Sequence, residues 1–374
     1  MKPHLCHQGL PPEALGAMSA AHKGVRPTTT AALCTSCSGK VVRGLLGCRG
    51  VPRIRGLFGG TGKDLFGEPA TVAAVLALCD KPPDQINLLY LGTASYDHSH
   101  HRNQQTAAFA KVGVQINRLE VACATPPEAN IAAAVDASDV ILVSGGNTLF
   151  AVDRWKRAKL IEPLRKAMER GVTLCGGSAG AGCWFDGVHS DSMDPSFYRN
   201  VVLAADAAAF QGDGIAAGAG AAASTDWEYI RAPGLGFLPG LLCPHNDRTQ
   251  SNGVPRSRDF DAMLLRHSGE RGIAIDHYAA LVCDGEGGYE VFRLPGHTGS
   301  VDDQPGVWIK EVRESGEVEA RPAPPKGLLA DLLRPSTAIF DDPRLGVARA
   351  ENPSDLQVAA VLDFVKRRST LGRR

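Results

Sequence analysis

Two largely apolar runs, Ile86–Leu91 (INLLYL) and Val140–Val143 (VILV), have the pattern of strands buried on both faces. Arg53–Phe58 reads as a short strand running into Gly59-Gly60, Val114–Leu119 as an alternating strand, and Val172–Cys175 as a further one. Between them, Ala70–Leu78, Thr106–Val112 and Asn130–Ala137 have helical content. Trp155–Arg170 reads as one helix, with Leu160, Ile161, Leu164 and Met168 on one side. Strand and helix alternating at short intervals predict an α/β fold with a mostly parallel sheet covered on both faces. Ligands of such folds collect at the carboxyl ends of strands, where this sequence puts its glycine pairs.

The pattern breaks at residues 204–223, where 15 of 20 positions are Ala or Gly. Interspersed glycines cost a helix ~1 kcal/mol each, so a low-complexity surface insertion is expected. An irregular Leu235–Cys243 stretch follows, then a helix around Arg258–His267 and strands near Gly272–Cys283 and Tyr289–Leu294. A hairpin (Val307–Val312 with Glu317–Arg321) and an amphipathic helix, Asp355–Arg368, close the chain. The organisation read from this is a leader at 1–52, an α/β domain at 53–300 carrying the insertion, and an extension at 301–374.

Charge sharpens that division. The chain has 40 basic and 40 acidic residues, yet residues 1–60 hold eight of the basic ones and a single acid, Glu13. The remainder is therefore net acidic. An Arg-bearing, hydroxyl-rich, acid-poor start has the composition of an organelle transit peptide, which predicts a plastid or mitochondrial location, otherwise a cytoplasmic one. Cys34 and Cys37 have the spacing of half a zinc site, but no second pair completes it. The remaining body cysteines read as reduced core residues. No uncharged apolar run reaches the ~18 residues of a membrane span. Neither a membrane nor nucleic acid is expected as a partner.

Candidate chemistry centres on Gly176-Gly177-Ser178-Ala179-Gly180, a G-x-S-x-G string directly after a strand. A strand, a strained turn and a helix start would expose the Ser178 hydroxyl as a nucleophile. His245, in Cys243-Pro244-His245-Asn246-Asp247 at an apolar strand end, is the candidate general base. Asp191, Asp194 and Asp276 are all open as the carboxylate that orients it. The turn Gly145-Gly146-Asn147-Thr148 offers amides that, with the Ala179 N–H, suit an oxyanion hole, although a plain strand-to-helix turn reads equally well. His98, His100 and His101 read as a solvated loop rather than a metal site. Gly59-Gly60-Thr61-Gly62-Lys63-Asp64 looks like a phosphate loop but fails its spacing and lacks the hydroxyl after lysine.

The ordered motifs GGNT (145–148), GGSAGA (176–181), SDS (190–192), GFLPG (236–240), PH (244–245) and GIAIDHYAALV (272–282) resemble the peptidase E and cyanophycinase family of serine peptidases across residues 54–294. The resemblance implies a class I glutamine-amidotransferase-like three-layer α/β sandwich. It also implies hydrolysis of a peptide bond after an N-terminal aspartate, through an acyl-enzyme and with no cofactor or metal. Ser178 carries over as nucleophile, His245 as base, and Gly146 and Ala179 as oxyanion donors. Asp191 is the first choice of acid. Asn147 and Arg256 are the substrate-binding candidates, Arg256 sharing with Arg248 and Arg258 the ability to hold a substrate carboxylate. Cyanophycinase-like members use a glutamate where this chain has His277, which disfavours β-Asp-Arg as substrate. A non-catalytic ligand-binding protein is the remaining alternative. A small peptide is the expected partner, and a homodimer is compatible with the sequence.

Overall fold

The computed structural model describes residues 53–196 and 225–352. The leader expected at 1–52 with its Cys34 and Cys37, the surface insertion expected at 204–223 and the helix expected at 355–368 lie outside the described residues. The first sheet is built on five parallel strands, β1 (Arg55–Gly59), β2 (Asn87–Leu91), β3 (Gln115–Arg118), β4 (Val140–Val143) and β5 (Thr173–Gly177), in the spatial order β1-β5-β4-β2-β3. The chain then enters a second sheet with β6 (Phe185–Ser190), β7 (Ile230–Pro233), β8 (Leu238–Cys243) and β9 (Gly272–Ile275). In it β6, β8 and β9 run parallel. Next, β10 (Ala279–Asp284) returns to the first sheet antiparallel to β1, followed by β11 (Gly288–Arg293). A hairpin of β12 (Val307–Val312) and β13 (Val318–Pro322) extends the second sheet through β9, and β14 (Lys326–Leu328) ends on the first. The α/β class with a largely parallel sheet is thus present, with a second mixed sheet beside it.

Period-two alternation divides the first sheet's side chains between two cores. Leu57, Leu88, Tyr90, Val140, Leu142 and Cys175 point to one face. There they meet Leu65, Phe66, Val72, Val75 and Phe109 from α1 (Lys63–Phe66), α2 (Pro69–Leu76) and α3 (Ser99–Lys111). Phe58, Leu89, Leu91, Ile141, Val143 and Leu174 point to the other. That face is covered by α4 (Glu128–Asp136), α5 (Thr148–Arg157), α6 (Ile161–Glu169) and apolar residues of the second sheet such as Phe185, Leu242 and Ile275. Behind the second sheet, Leu241, Cys243 and Ala274 pack on Phe260, Met263 and Leu264 of α8 (Arg256–Arg266). Full burial of each Leu, Phe or Met side chain among these contributes ~1.5–3 kcal/mol.

The helix expected over Trp155–Arg170 is two helices. Lys159 has φ 56° and breaks them apart. The cause is Pro163, which lies in the first turn of α6, where its missing N–H is harmless. In a continuous helix its ring would strike the carbonyl of Lys159, four residues back. Leu235–Cys243, expected to be irregular, ends as strand β8. Among the described residues no helix is long and apolar enough to cross a membrane.

Candidate active site

Strand ends from both sheets converge on one place. Ser178 follows β5 and caps α7 (Ala179–Gly182) with φ 55° and ψ −123°, a conformation an L-residue holds only under constraint. The constraint is visible. Ser178 N–H donates to Gly59 O at 3.1 Å, and its own carbonyl accepts from Ala181 and Gly182. The flanking glycines allow the backbones to touch: a Cβ on Gly177 would lie 1.8 Å from Thr61 O, and one on Gly180 2.2 Å from Val143 O. Ser178 is half-buried.

The Gly145-Gly146 turn lies beside it, a Cβ on Gly145 falling 3.5 Å from Ser178 Cβ. Gly146 has φ 126°, and any side chain there would strike Ala94 O. Among the described residues, neither the Gly146 nor the Ala179 N–H takes part in a hydrogen bond. Asn147 is fully buried and acts as the N-cap of α5. Its Oδ1 accepts from Phe150 N–H at 3.0 Å, and its Nδ2 donates to Tyr96 Oη at 3.1 Å and to Asn352. That side chain belongs to the fold, with no polar atom left for a substrate.

His245 stands just past β8, also at positive φ (52°). Its Nδ1 faces Nδ1 of His277 at 2.7 Å. His277 follows β9, the strand paired with β8, so neighbouring strand ends deliver the two imidazoles. Nε2 of His277 in turn meets Asp64 Oδ2 at 3.0 Å, and its backbone N–H donates to Asp247 Oδ1 at 2.7 Å. Burial pushes the His245 pKa well below the ordinary imidazole value, and the charges of Arg256 and Arg248 push it the same way. The hydrogen bond from His277 holds the Asp64 carboxyl below the usual range despite partial burial.

The three carboxylates read from the sequence as acid are all committed elsewhere. Asp191 Oδ2 accepts from Arg256 Nη1 at 3.0 Å and from Gln250 Nε2 at 2.9 Å. Asp194 accepts from Ser196 N–H and Ser251 Oγ. Asp276 is fully buried and accepts from Asn246, Ser300 and the Gly306 N–H. None hydrogen-bonds His245. Arg256 is also withdrawn from substrate: its side chain is 1% exposed, bound to Asp191 and, at 2.6 Å, to His189 O. Arg248 is the more open cation, 43% exposed, stacked 5.3 Å from the Tyr278 ring centroid and close enough to depress His245.

Sequence reasoning missed Asp64 and set His277 aside as a departure from a motif. The failed phosphate loop has another use: it turns Asp64 toward His277. A Cβ on Gly60 would sit 2.0 Å from Asp276 O, so that turn lies directly on the backbone preceding His277. Of the histidines at 98, 100 and 101, His98 Nδ1 accepts from the His100 N–H at the start of α3. Among the described residues no group of His, Cys, Asp or Glu is arranged to hold a metal ion.

The sequence model of peptidase family S51 matches residues 67–291, more than half of the chain. The chain belongs to peptidase family S51. It is a serine-type peptidase. A Trypanosoma brucei brucei protein named G2/mitotic-specific cyclin-1 is 29% identical over 328 residues, covering 82% of this chain and 96% of that one. The Bacillus subtilis (strain 168) uncharacterised peptidase YgaJ is 30% identical over 164 residues, 44% of this chain. The chain spans 56% of the length of that second relative. A solved candidate peptidase E protein from Listeria monocytogenes EGD-e has 16% identity and TM-score 0.42, covering 64% of this chain and 98% of its own. A peptidase from an acI-B1 actinobacterium has 14% identity and TM-score 0.47, covering 74% and 98%.

Proposed function

We propose that this S51 peptidase is a dipeptidase that cleaves after an N-terminal aspartate through an acyl-enzyme on Ser178. The observation that carries the reading is Ser178 itself, held at φ 55° between a buried strand and a helix start with unbonded amides on either side. Such a turn presents a hydroxyl that backbone N–H groups flank. Ser178 Oγ attacks the scissile carbonyl carbon as His245 Nε2, the nitrogen not engaged by His277, takes its proton. The tetrahedral oxyanion accepts from the Ala179 and Gly146 N–H groups. Collapse breaks the C–N bond, and His245 returns the proton to the leaving amine. Water then attacks the ester by the same base.

The aspartate preference rests on charge. Arg248 is exposed beside the base, and a guanidinium can take a substrate carboxylate through two parallel hydrogen bonds. Hydrolysis of a panel of X-Ala dipeptides by the full chain tests the reading, with Ser178→Ala as control. Cleavage of Asp-Ala ahead of the others, lost in Ser178→Ala, is expected. A preferred residue without a carboxylate would overturn the substrate class, and full activity in Ser178→Ala would overturn the nucleophile.

A further inference from the structure

The base of this site is backed by an imidazole, and the imidazole by a carboxylate 213 positions away in sequence. We infer that Asp64 and His277 together replace the single carboxylate of a serine-peptidase triad, with Asp64 setting the tautomer of His277 and His277 setting that of His245. This deepens the peptidase reading and rests on it for its catalytic consequence.

Proton bookkeeping on the observed contacts gives the argument. An ionised carboxylate accepts hydrogen bonds and cannot donate. Asp64 faces Nε2 of His277 at 3.0 Å, so that nitrogen carries the hydrogen. Taken as neutral, the His277 imidazole has one N–H, which leaves its Nδ1 as a lone pair. That lone pair faces Nδ1 of His245 at 2.7 Å, and two lone pairs cannot share so short a contact. The hydrogen between them therefore belongs to His245 Nδ1. His245 is left with its lone pair on Nε2, the state a base needs to receive the serine proton. A carboxylate bonded directly to Nδ1 would select the same tautomer. Here the instruction passes through one extra ring.

The relay is held as a unit. The backbone N–H of His277 is fixed by Asp247, and the ring stands edge-on to Tyr278 at 4.6 Å between centroids. The paired strands β8 and β9 set the spacing of the two histidines. The three candidate acids are engaged elsewhere, and among the described residues no carboxylate hydrogen-bonds His245 Nδ1. During the reaction the proton moves only from Ser178 Oγ to His245 Nε2. The hydrogens on His245 Nδ1 and His277 Nε2 stay in place, and Asp64 remains ionised. Neither His277 nor Asp64 touches the reacting atoms, so both are positioning residues.

Two measurements on the full chain test this. Nitrogen NMR of histidine-labelled protein at neutral pH reads the tautomers without any substrate. An N–H on His277 Nε2 and on His245 Nδ1 is expected. A wild-type His245 carrying its hydrogen on Nε2 overturns the relay, whatever the enzyme hydrolyses. Kinetics supply the second readout. Asp64→Ala should lower kcat at least about 10-fold with KM nearly unchanged, up to the ~10⁴-fold cost of a wrong tautomer at a triad base. His277→Glu should place a carboxylate directly on His245, so adding Asp64→Ala to it should then cost nothing. An equal loss from Asp64→Ala in both backgrounds, or none in the wild type, overturns the proposal. The rate of Ser178 labelling by a fluorophosphonate repeats the comparison independently of substrate. If labelling follows the relay variants while Asp-Ala is untouched, the relay stands and only the substrate class fails.

Discussion

Asp191 and Arg256 form a buried ion pair, 3.0 Å between Oδ2 and Nη1, with side chains 7% and 1% exposed. Arg256 also donates to His189 O and lies 4.8 Å from the Tyr229 ring centroid. This contact determines what substituting Asp191 will do. Asp191→Ala leaves a desolvated guanidinium without its counter-ion, a loss of about 3–5 kcal/mol where one member of a buried pair is removed. Urea denaturation should show that loss. In the fraction that stays folded at low temperature, kcat should change far less than in Ser178→Ala. A folded Asp191→Ala protein with kcat reduced like Ser178→Ala would restore Asp191 as the triad acid.

Ser178 predicts a trade of stability against activity. Its φ of 55° with ψ −123° is a conformation glycine adopts without strain. Ser178→Gly should therefore raise stability by about 1 kcal/mol, within the range assigned to strained backbone. It should abolish hydrolysis at the same time. Thermal unfolding of wild type, Ser178→Ala and Ser178→Gly separates the two effects, since Ala keeps the strain and loses the hydroxyl. Equal melting temperatures for the Ala and Gly variants would show that the turn stores nothing.

Much of this was legible in sequence, and the exceptions have physical causes. INLLYL and VILV gave β2 and β4 because strands buried on both faces are dominated by apolar residues, Asn87 at the start of β2 being only partly buried. Strands β6 and β7 carry no such signal. Their interiors hold His189 and Arg231, buried only because Asp259 and Glu270 pair with them from distant segments. The same holds at the site. Ser178 and His245 sit in local motifs, whereas the Asp64–His277 contact joins residues 213 apart and leaves no spacing to read. Asn147 and Arg256 misled for the opposite reason: polar residues near a motif look functional until a cap or a buried ion pair is seen to engage them.

Arg248 should set both specificity and the acid limit of activity. His245 must be neutral to act as base, so activity falls as pH drops through its pKa. Burial, Arg256 and Arg248 all lower that pKa, while the carboxylate of Asp64 reaches it only through His277, and Asp247 faces both the His277 backbone and the Arg248 guanidinium at 3.6 Å. The acid limb of kcat/KM is therefore expected below pH 6.5. Arg248→Met removes one of the two guanidinium charges that depress it, which should move the limb upward and raise KM for Asp-Ala more than for Leu-Ala. A limb that moves downward, or equal KM changes for both dipeptides, contradicts this assignment.

Acid stability should be governed in part by His189. Its ring is 0% exposed, stacked on Tyr229 at 4.2 Å between centroids, and bonded to Asp259 Oδ1 at 2.9 Å. Burial outweighs the pull of Asp259 and brings the pKa down to about 4. In the unfolded chain an imidazole titrates near about 6.5. Between those values the unfolded state binds the extra proton, so stability is complete above pH 6.5 and declines as pH falls toward 4. Asp97 acts in reverse, its carboxyl raised to about 7 by burial, so its contribution is full in acid and is lost as pH rises through 7. Replacing His189 isolates its share. His189→Phe keeps the stacked ring and removes the titration, so the fall in unfolding free energy from pH 7 to pH 5 should shrink by about 2 kcal/mol. Denaturant titrations of both proteins at the two pH values measure this. An undiminished fall in the variant would assign the acid sensitivity to other groups, beginning with His267, which is also buried with its pKa lowered to about 4.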